Sequence, residues 1–151
     1  MRSVVQRVSY ARVSVDGEHV SRIGRGLMAL LGVEAGDDEK DAVYLADKIA
    51  KLRIFEDAEG KMNLTVKDAG GEVMVVSQFT LLGDARGQNR PGFTRAEQPD
   101  QAERLCEACC ERLEEAWGFQ VARGRFRAHM KVELLNDGPV TLWLDSDELF
   151  G

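Results

Sequence analysis

Leu27-Met28-Ala29-Leu30-Leu31-Gly32-Val33 is an unbroken apolar run of strand length. Such a run is best satisfied when both faces of the strand are covered, so it is expected at the centre of a sheet. Upstream, Val8 and Tyr10, then Val13 and Val15, alternate with polar residues as far as Asp16-Gly17, a dipeptide suited to a tight hairpin turn. Val20 and Ile23 carry the return strand to Gly24. After Gly70-Gly71, the β-branched run Glu72-Val73-Met74-Val75-Val76 is a further strand. Val132 to Leu135 and Val140 to Leu144 read as two more, with Phe119 to Val121 a weaker candidate.

Two helices interrupt these strands. Asp37-Asp38 can cap the first, in which Ala42, Leu45, Ala46, Ile49 and Leu52 recur at helical spacing. The second starts near Pro99-Asp100, carries Ala102, Leu105, Cys106, Cys109, Leu113, Ala116 and Trp117 on one stripe, and stops at Gly118. Helices that break into strands without strict alternation point to an α/β fold with a mixed sheet. The 151 residues contain three prolines and no Pro- or Ser-rich linker, so residues 1–151 are expected to form one domain.

The formal charge of -6, from 20 Lys+Arg and 26 Asp+Glu, argues against a protein that coats nucleic acid over its whole surface. No apolar run approaches the roughly 20 residues needed to cross a bilayer, and Met1 to Arg7 lacks the apolar segment of a signal peptide. A cytosolic location is expected. Cys106, Cys109 and Cys110 share a helical stripe with Leu105 and Leu113, and no second Cys or His cluster completes a metal site, so they read as structural thiols. His19 and His129 lie in no nucleophile or base motif, and no phosphate-binding glycine loop is present. Neither a metal nor a nucleotide cofactor is therefore expected.

Three segments carry chemistry. The second helix is acidic, with Glu103, Glu107, Glu111, Glu114 and Glu115 against Arg104 and Arg112, whereas Arg123, Arg125, Arg127 and Lys131 have no acid among them. In an extended chain the three arginines would share one face and could clamp phosphates, or else protect a solvated edge strand. Ser77-Gln78-Phe79-Thr80-Leu81 places polar groups where a buried strand opens into about 20 residues without periodicity, a length usually kept for function. Asn136-Asp137-Gly138-Pro139-Val140-Thr141 offers Asp137-Gly138 as a hairpin turn, yet Pro139 has no N–H to donate across it. A wider connection with free carbonyls follows, and its X-Pro bond is a candidate for the cis form.

Together, these last two segments resemble the paired signature motifs of the D-aminoacyl-tRNA deacylases. The resemblance covers essentially the whole chain, through Gln6-Arg7-Val8, Leu31-Gly32-Val33, Arg53-Ile54-Phe55, Gly60-Lys61-Met62-Asn63-Leu64, and Arg90-Pro91 with Phe93. It implies mixed β-sheets in a three-layer or barrel-like arrangement with two main helices. It implies a homodimer with sites at the subunit interface, hydrolysing the ester that joins a D-amino acid, or glycine, to the 3′-terminal adenosine of tRNA. Carried over, Gly138 and Pro139 would form a Gly-cis-Pro pair that enters the partner's site and selects chirality through its carbonyls. Ser77, Gln78 and Phe79 would cradle the adenosine and the ester. Thr80 is a nucleophile candidate without an evident base, so assistance by the ribose 2′-hydroxyl fits better. Arg123, Arg125, Arg127 and Lys131 are candidate tRNA contacts, and no metal or cofactor is implied. The rivals are a nucleic-acid-binding module without catalysis and an esterase with Thr80 as nucleophile.

Overall fold

A computed structural model describes residues 1–150, of Phe150 the backbone only. Strands β1 (Arg2–Val15) and β2 (Glu18–Ile23) form the expected hairpin, with Asp16 and Gly17 both in the left-handed region that a primed two-residue turn requires. Strand β3 (Gly26–Gly32) runs antiparallel to β1 and parallel to β6 (Glu72–Ser77), and β6 is followed in the sheet by β7 (Ala122–Arg123). Ser21 Oγ donates to the carbonyl of Arg123 at 2.7 Å, which ties β2 to β7 and nearly closes the sheet into a barrel. A small ribbon of β4 (Phe55–Glu56) and β5 (Met62–Leu64), unforeseen in the sequence, stands apart.

Strand β3 is covered on both faces, as its composition demands. Leu27, Ala29 and Leu31 pack toward the helices, whereas Met28 joins Val8, Val13, Ile23, Met74 and Val76 inside the barrel. Helix α1 (Glu39–Lys51) is closed by a capping box, in which Asp38 accepts the Lys40 N–H and Asp41 accepts the Asp38 N–H, each at 2.9 Å. Helix α2 (Pro99–Trp117) opens on Pro99 and ends at Gly118 in the left-handed conformation. No helix among the described residues is long and apolar enough to cross a membrane. The chain closes with α3 (Ser146–Phe150).

The two long helices are pinned at Asp47. It accepts from Arg112 Nε at 2.8 Å and from Trp117 Nε1 at 2.9 Å, and the Arg112 bonds hold its carboxyl below the usual range. A depressed folded pKa contributes stability above the unfolded value, about 4, and loses it as pH falls through the folded value. Asp47→Asn is thus expected to cost about 1 kcal/mol at pH 7 and less at pH 3. Denaturant titrations at the two pH values measure this, and an equal difference at both would refute it. On α2 the three cysteines are buried, and burial pushes the Cys106 and Cys110 thiols up to about 12, so all three act as apolar packing.

Two expectations are corrected. Val132 to Leu135 and Val140 to Leu144 are not separate strands around a turn but the two halves of β8 (Met130–Asp145), which runs antiparallel to β1 throughout. Val8 pairs with Asn136 and Gln6 with Thr141, so the intervening residues bulge out of the ladder. The strand expected over Phe119 to Val121 begins three residues later, at Ala122, because Phe119 and Val121 turn into the core.

Candidate active site

Parallel strands leave clefts at their carboxyl ends, and β6 ends at one. The Gln78 N–H donates to the Leu31 carbonyl at 2.8 Å, then the chain folds into a single 3-10 turn over Phe79–Leu82. Buried Leu82 anchors the turn beneath β3. A Cβ on Gly32 would lie 2.8 Å from Leu82 Cδ2 and 3.0 Å from the Gln78 carbonyl, so only glycine permits this approach. The turn leaves Phe79 58% exposed, edge-on to Phe93 with ring centroids 5.1 Å apart.

Beside the turn lies a cavity of about 610 Å³. Ser77, Gln78 and Phe79 form one side, Pro99 and Ala102 of α2 another, and Phe126 and Met130 a third. The backbone amides of Phe79 and Thr80 open the 3-10 turn and so have no acceptor within it. Gln78 Nε2 donates to Thr80 Oγ1. That partner is an amide, which cannot take up a proton, and neither exposed histidine lines the cavity.

The second motif lies elsewhere on the chain. Gly138-Pro139 is cis, with Gly138 at φ 136°, and neither residue has a ladder partner on β1. Asn136 braces the segment by accepting the Val140 N–H at 3.0 Å and donating to Thr141 Oγ1 at 2.8 Å. Beneath it, buried Arg7 donates from Nε to the Asp137 carbonyl at 2.9 Å and from Nη1 to the Ile54 carbonyl at 2.7 Å. An arginine inside an apolar strand was the only sequence sign of this brace. Gly138 and Pro139 do not line the cavity beside Ser77 in the same chain, so one chain does not bring the two motifs together.

The basic stretch does not form one face. The chain is extended over Ala122–Arg123 and again from Met130, but not over Arg125 and Arg127, and Arg127 adopts φ 67°. Arg123 is clamped by Glu107 and Glu114, each at 2.8 Å, and these bonds raise its own pKa while lowering that of Glu114. Arg127 pairs with Asp100 at 3.1 Å. Arg125 and Lys131 make no ion pair among the described residues.

Residues 4–145 match the family model of D-Tyr-tRNA(Tyr) deacylase. A D-aminoacyl-tRNA deacylase of Anaeromyxobacter dehalogenans is 61% identical over 150 residues, covering 99% of this chain and 100% of that one. Its counterpart from Symbiobacterium thermophilum is 58% identical, with 99% of each chain covered. A solved structure described as c-Myc DNA Unwinding Element Binding Protein superposes with a TM-score of 0.90 at 40% identity, over 96% of this chain and 98% of that one. A probable eukaryotic D-amino acid tRNA deacylase shares the fold, with a TM-score of 0.78 at 16% identity and 95% and 97% coverage. By a match that spans nearly its whole length, this chain belongs to the D-Tyr-tRNA(Tyr) deacylase family.

Proposed function

We propose that the protein hydrolyses the ester of D-aminoacyl-tRNA, and of glycyl-tRNA, releasing free amino acid and tRNA in the cytoplasm as a chiral proofreading step. The observation that carries the reading is the braced Gly138-Pro139 segment, exposed, without ladder partners, and absent from its own chain's cavity. A second copy that inserts this segment beside Ser77 would complete the site, which makes the working unit a homodimer.

The cavity has room for an aminoacylated adenosine, with Ser77, Gln78 and Phe79 against the nucleoside and the ester. The unpaired amides of Phe79 and Thr80 can receive charge that develops on the ester carbonyl oxygen. With no base bonded to Thr80, the ribose 2′-hydroxyl assists water instead of a protein nucleophile. The Gly138 and Pro139 carbonyls accept from the substrate ammonium. In that pose an L side chain runs into rigid backbone, a D side chain points outward, and glycine presents nothing to reject.

The test is a deacylation panel of D-, L- and glycyl-tRNA. D- and glycyl-tRNA are expected to be cleaved and L-tRNA spared, and similar rates for D and L would overturn the reading. Thr80→Val is expected to keep most of the rate, and complete loss with the fold intact would favour an esterase with Thr80 as nucleophile. The solved relative described as a DNA-element-binding protein favours a second reading, a nucleic-acid-binding module without catalysis. Retained tRNA binding with no release of any amino acid would support it.

A further inference from the structure

Among the described residues, no helix covers the outer face of the β2-β1-β8 corner. Cross-strand partners share a face, and here Arg12 stands between Arg22 on β2 and Glu133 on β8, with Ser14 between His19 and Lys131. Arg22 lies over the ring of Tyr10, its guanidinium 5.8 Å from the centroid. Glu133 is the one carboxylate within this group, and it is already engaged by Arg12 and by the Tyr10 hydroxyl, each at 2.9 Å. Arg22 and Lys131 make no ion pair among the described residues, and Asp16 in the hairpin turn and Glu18 at the start of β2 flank the group. Between Arg12, Ser14, His19 and Lys131 the surface dips into a hollow of about 380 Å³. In a chain of net charge -6, Arg12, Arg22 and Lys131 against the carboxylate of Glu133 leave this bare sheet face net positive.

The face stands back to back with the candidate active site. Met130 lines the cavity beside Ser77, and its neighbour Lys131, pointing to the other side of the same strand, lines the hollow. A polyanion whose end enters the cavity therefore needs to pass only around the edge of β8 to lay its backbone here.

We infer that this face is a second tRNA contact, holding backbone phosphates of the acceptor arm. Arg12, Arg22 and Lys131 supply the charge, and the Ser14 hydroxyl and the His19 ring face the same hollow. The inference rests on the proposed tRNA substrate but concerns binding of the RNA body, not the chemistry at its end. Surface cations on phosphates act through counterion release, which gives a readable salt slope.

The experiment compares the intact protein with Arg22→Glu/Lys131→Glu and with a control of equal charge change on the helical side, Lys40→Glu/Arg104→Glu. Binding of uncharged tRNA is measured across a salt series, and hydrolysis of a D-aminoacyl-adenosine, which has no phosphate, is measured alongside. The face variant is expected to bind tRNA about tenfold more weakly near 0.1 M salt, with the slope of log Kd against log salt reduced by about 2. The control variant and the hydrolysis of the minimal substrate are expected to be unchanged. An unchanged slope, an equal loss in the control, or dissociation of a dimer by the face variant would overturn the inference. Because tRNA binding is read without turnover, failure of the deacylase reading would appear separately, as no hydrolysis of the D-aminoacyl-adenosine by the unmodified protein.

Discussion

Gly138→Ala is expected to lower D-aminoacyl-tRNA hydrolysis about a hundredfold while the protein still folds. Position 138 has φ 136°, where a residue with a Cβ is strained by roughly 1–3 kcal/mol whatever the space. There is also no space, since the added Cβ would lie 2.7 Å from Arg7 Nη2 and 2.8 Å from Val140 Cγ2. The segment can relieve both only by rotating its carbonyls, and a shift of about 1 Å in groups that hold the substrate is enough for a loss of this size. The cost in stability stays local, because 137–139 lie outside the ladder and most of β8 pairs as before. Steady-state kinetics on D-aminoacyl-tRNA, with circular dichroism as the folding control, measure the effect. An alanine variant with the unmodified rate would remove Gly138 from the site.

Arg7→Ala should act on stability and selectivity at once. Its guanidinium is buried and serves two carbonyls from different parts of the chain, Asp137 before the Gly-Pro pair and Ile54 before the β4-β5 ribbon. Removing it leaves both acceptors without their donor, at a cost of about 2–4 kcal/mol, or roughly 6–12 °C in Tm. A segment that loses its brace also loses the fixed pose on which discrimination between D and L depends. The ratio of D to L hydrolysis is thus expected to fall together with the rate. Arg7→Lys separates the two roles, because an ammonium on a flexible stem replaces a rigid fork poorly and should recover more stability than selectivity. Calorimetry and paired D and L assays decide. Unaltered selectivity in Arg7→Ala would show that the segment holds its own shape.

Much of the fold was legible because it rests on local rules. The apolar run at Leu27–Val33, the Asp16-Gly17 turn, the Asp38 cap and Gly118 each carry their reason within a few residues. What stayed hidden depends on residues far apart in sequence. Asp137-Gly138 reads as a hairpin turn in any local window, and only pairing of both flanks with β1, more than a hundred residues away, reveals a bulge. Arg123 reads as free until α2 brings Glu107 and Glu114 against it. The motif at Ser77 was visible as polar groups at a strand end, but its 3-10 turn is set by packing of Leu82 under β3. The β4-β5 ribbon is too short to show a period of two.

The crossing made by β8 also limits how the protein can change in length. Before the Gly-Pro segment the even-numbered Met130, Val132 and Leu134 pack inside the barrel, and after it the even-numbered Val140, Leu142 and Leu144 pack toward the helices. Inserting or deleting one residue between Asn136 and Val140 would reverse every later side chain, burying Trp143 and exposing Leu142 and Leu144. A change of two residues would preserve this parity. The segment's length is therefore quantised, and a chain can lengthen or shorten its selecting loop only in even steps without exchanging inside for outside.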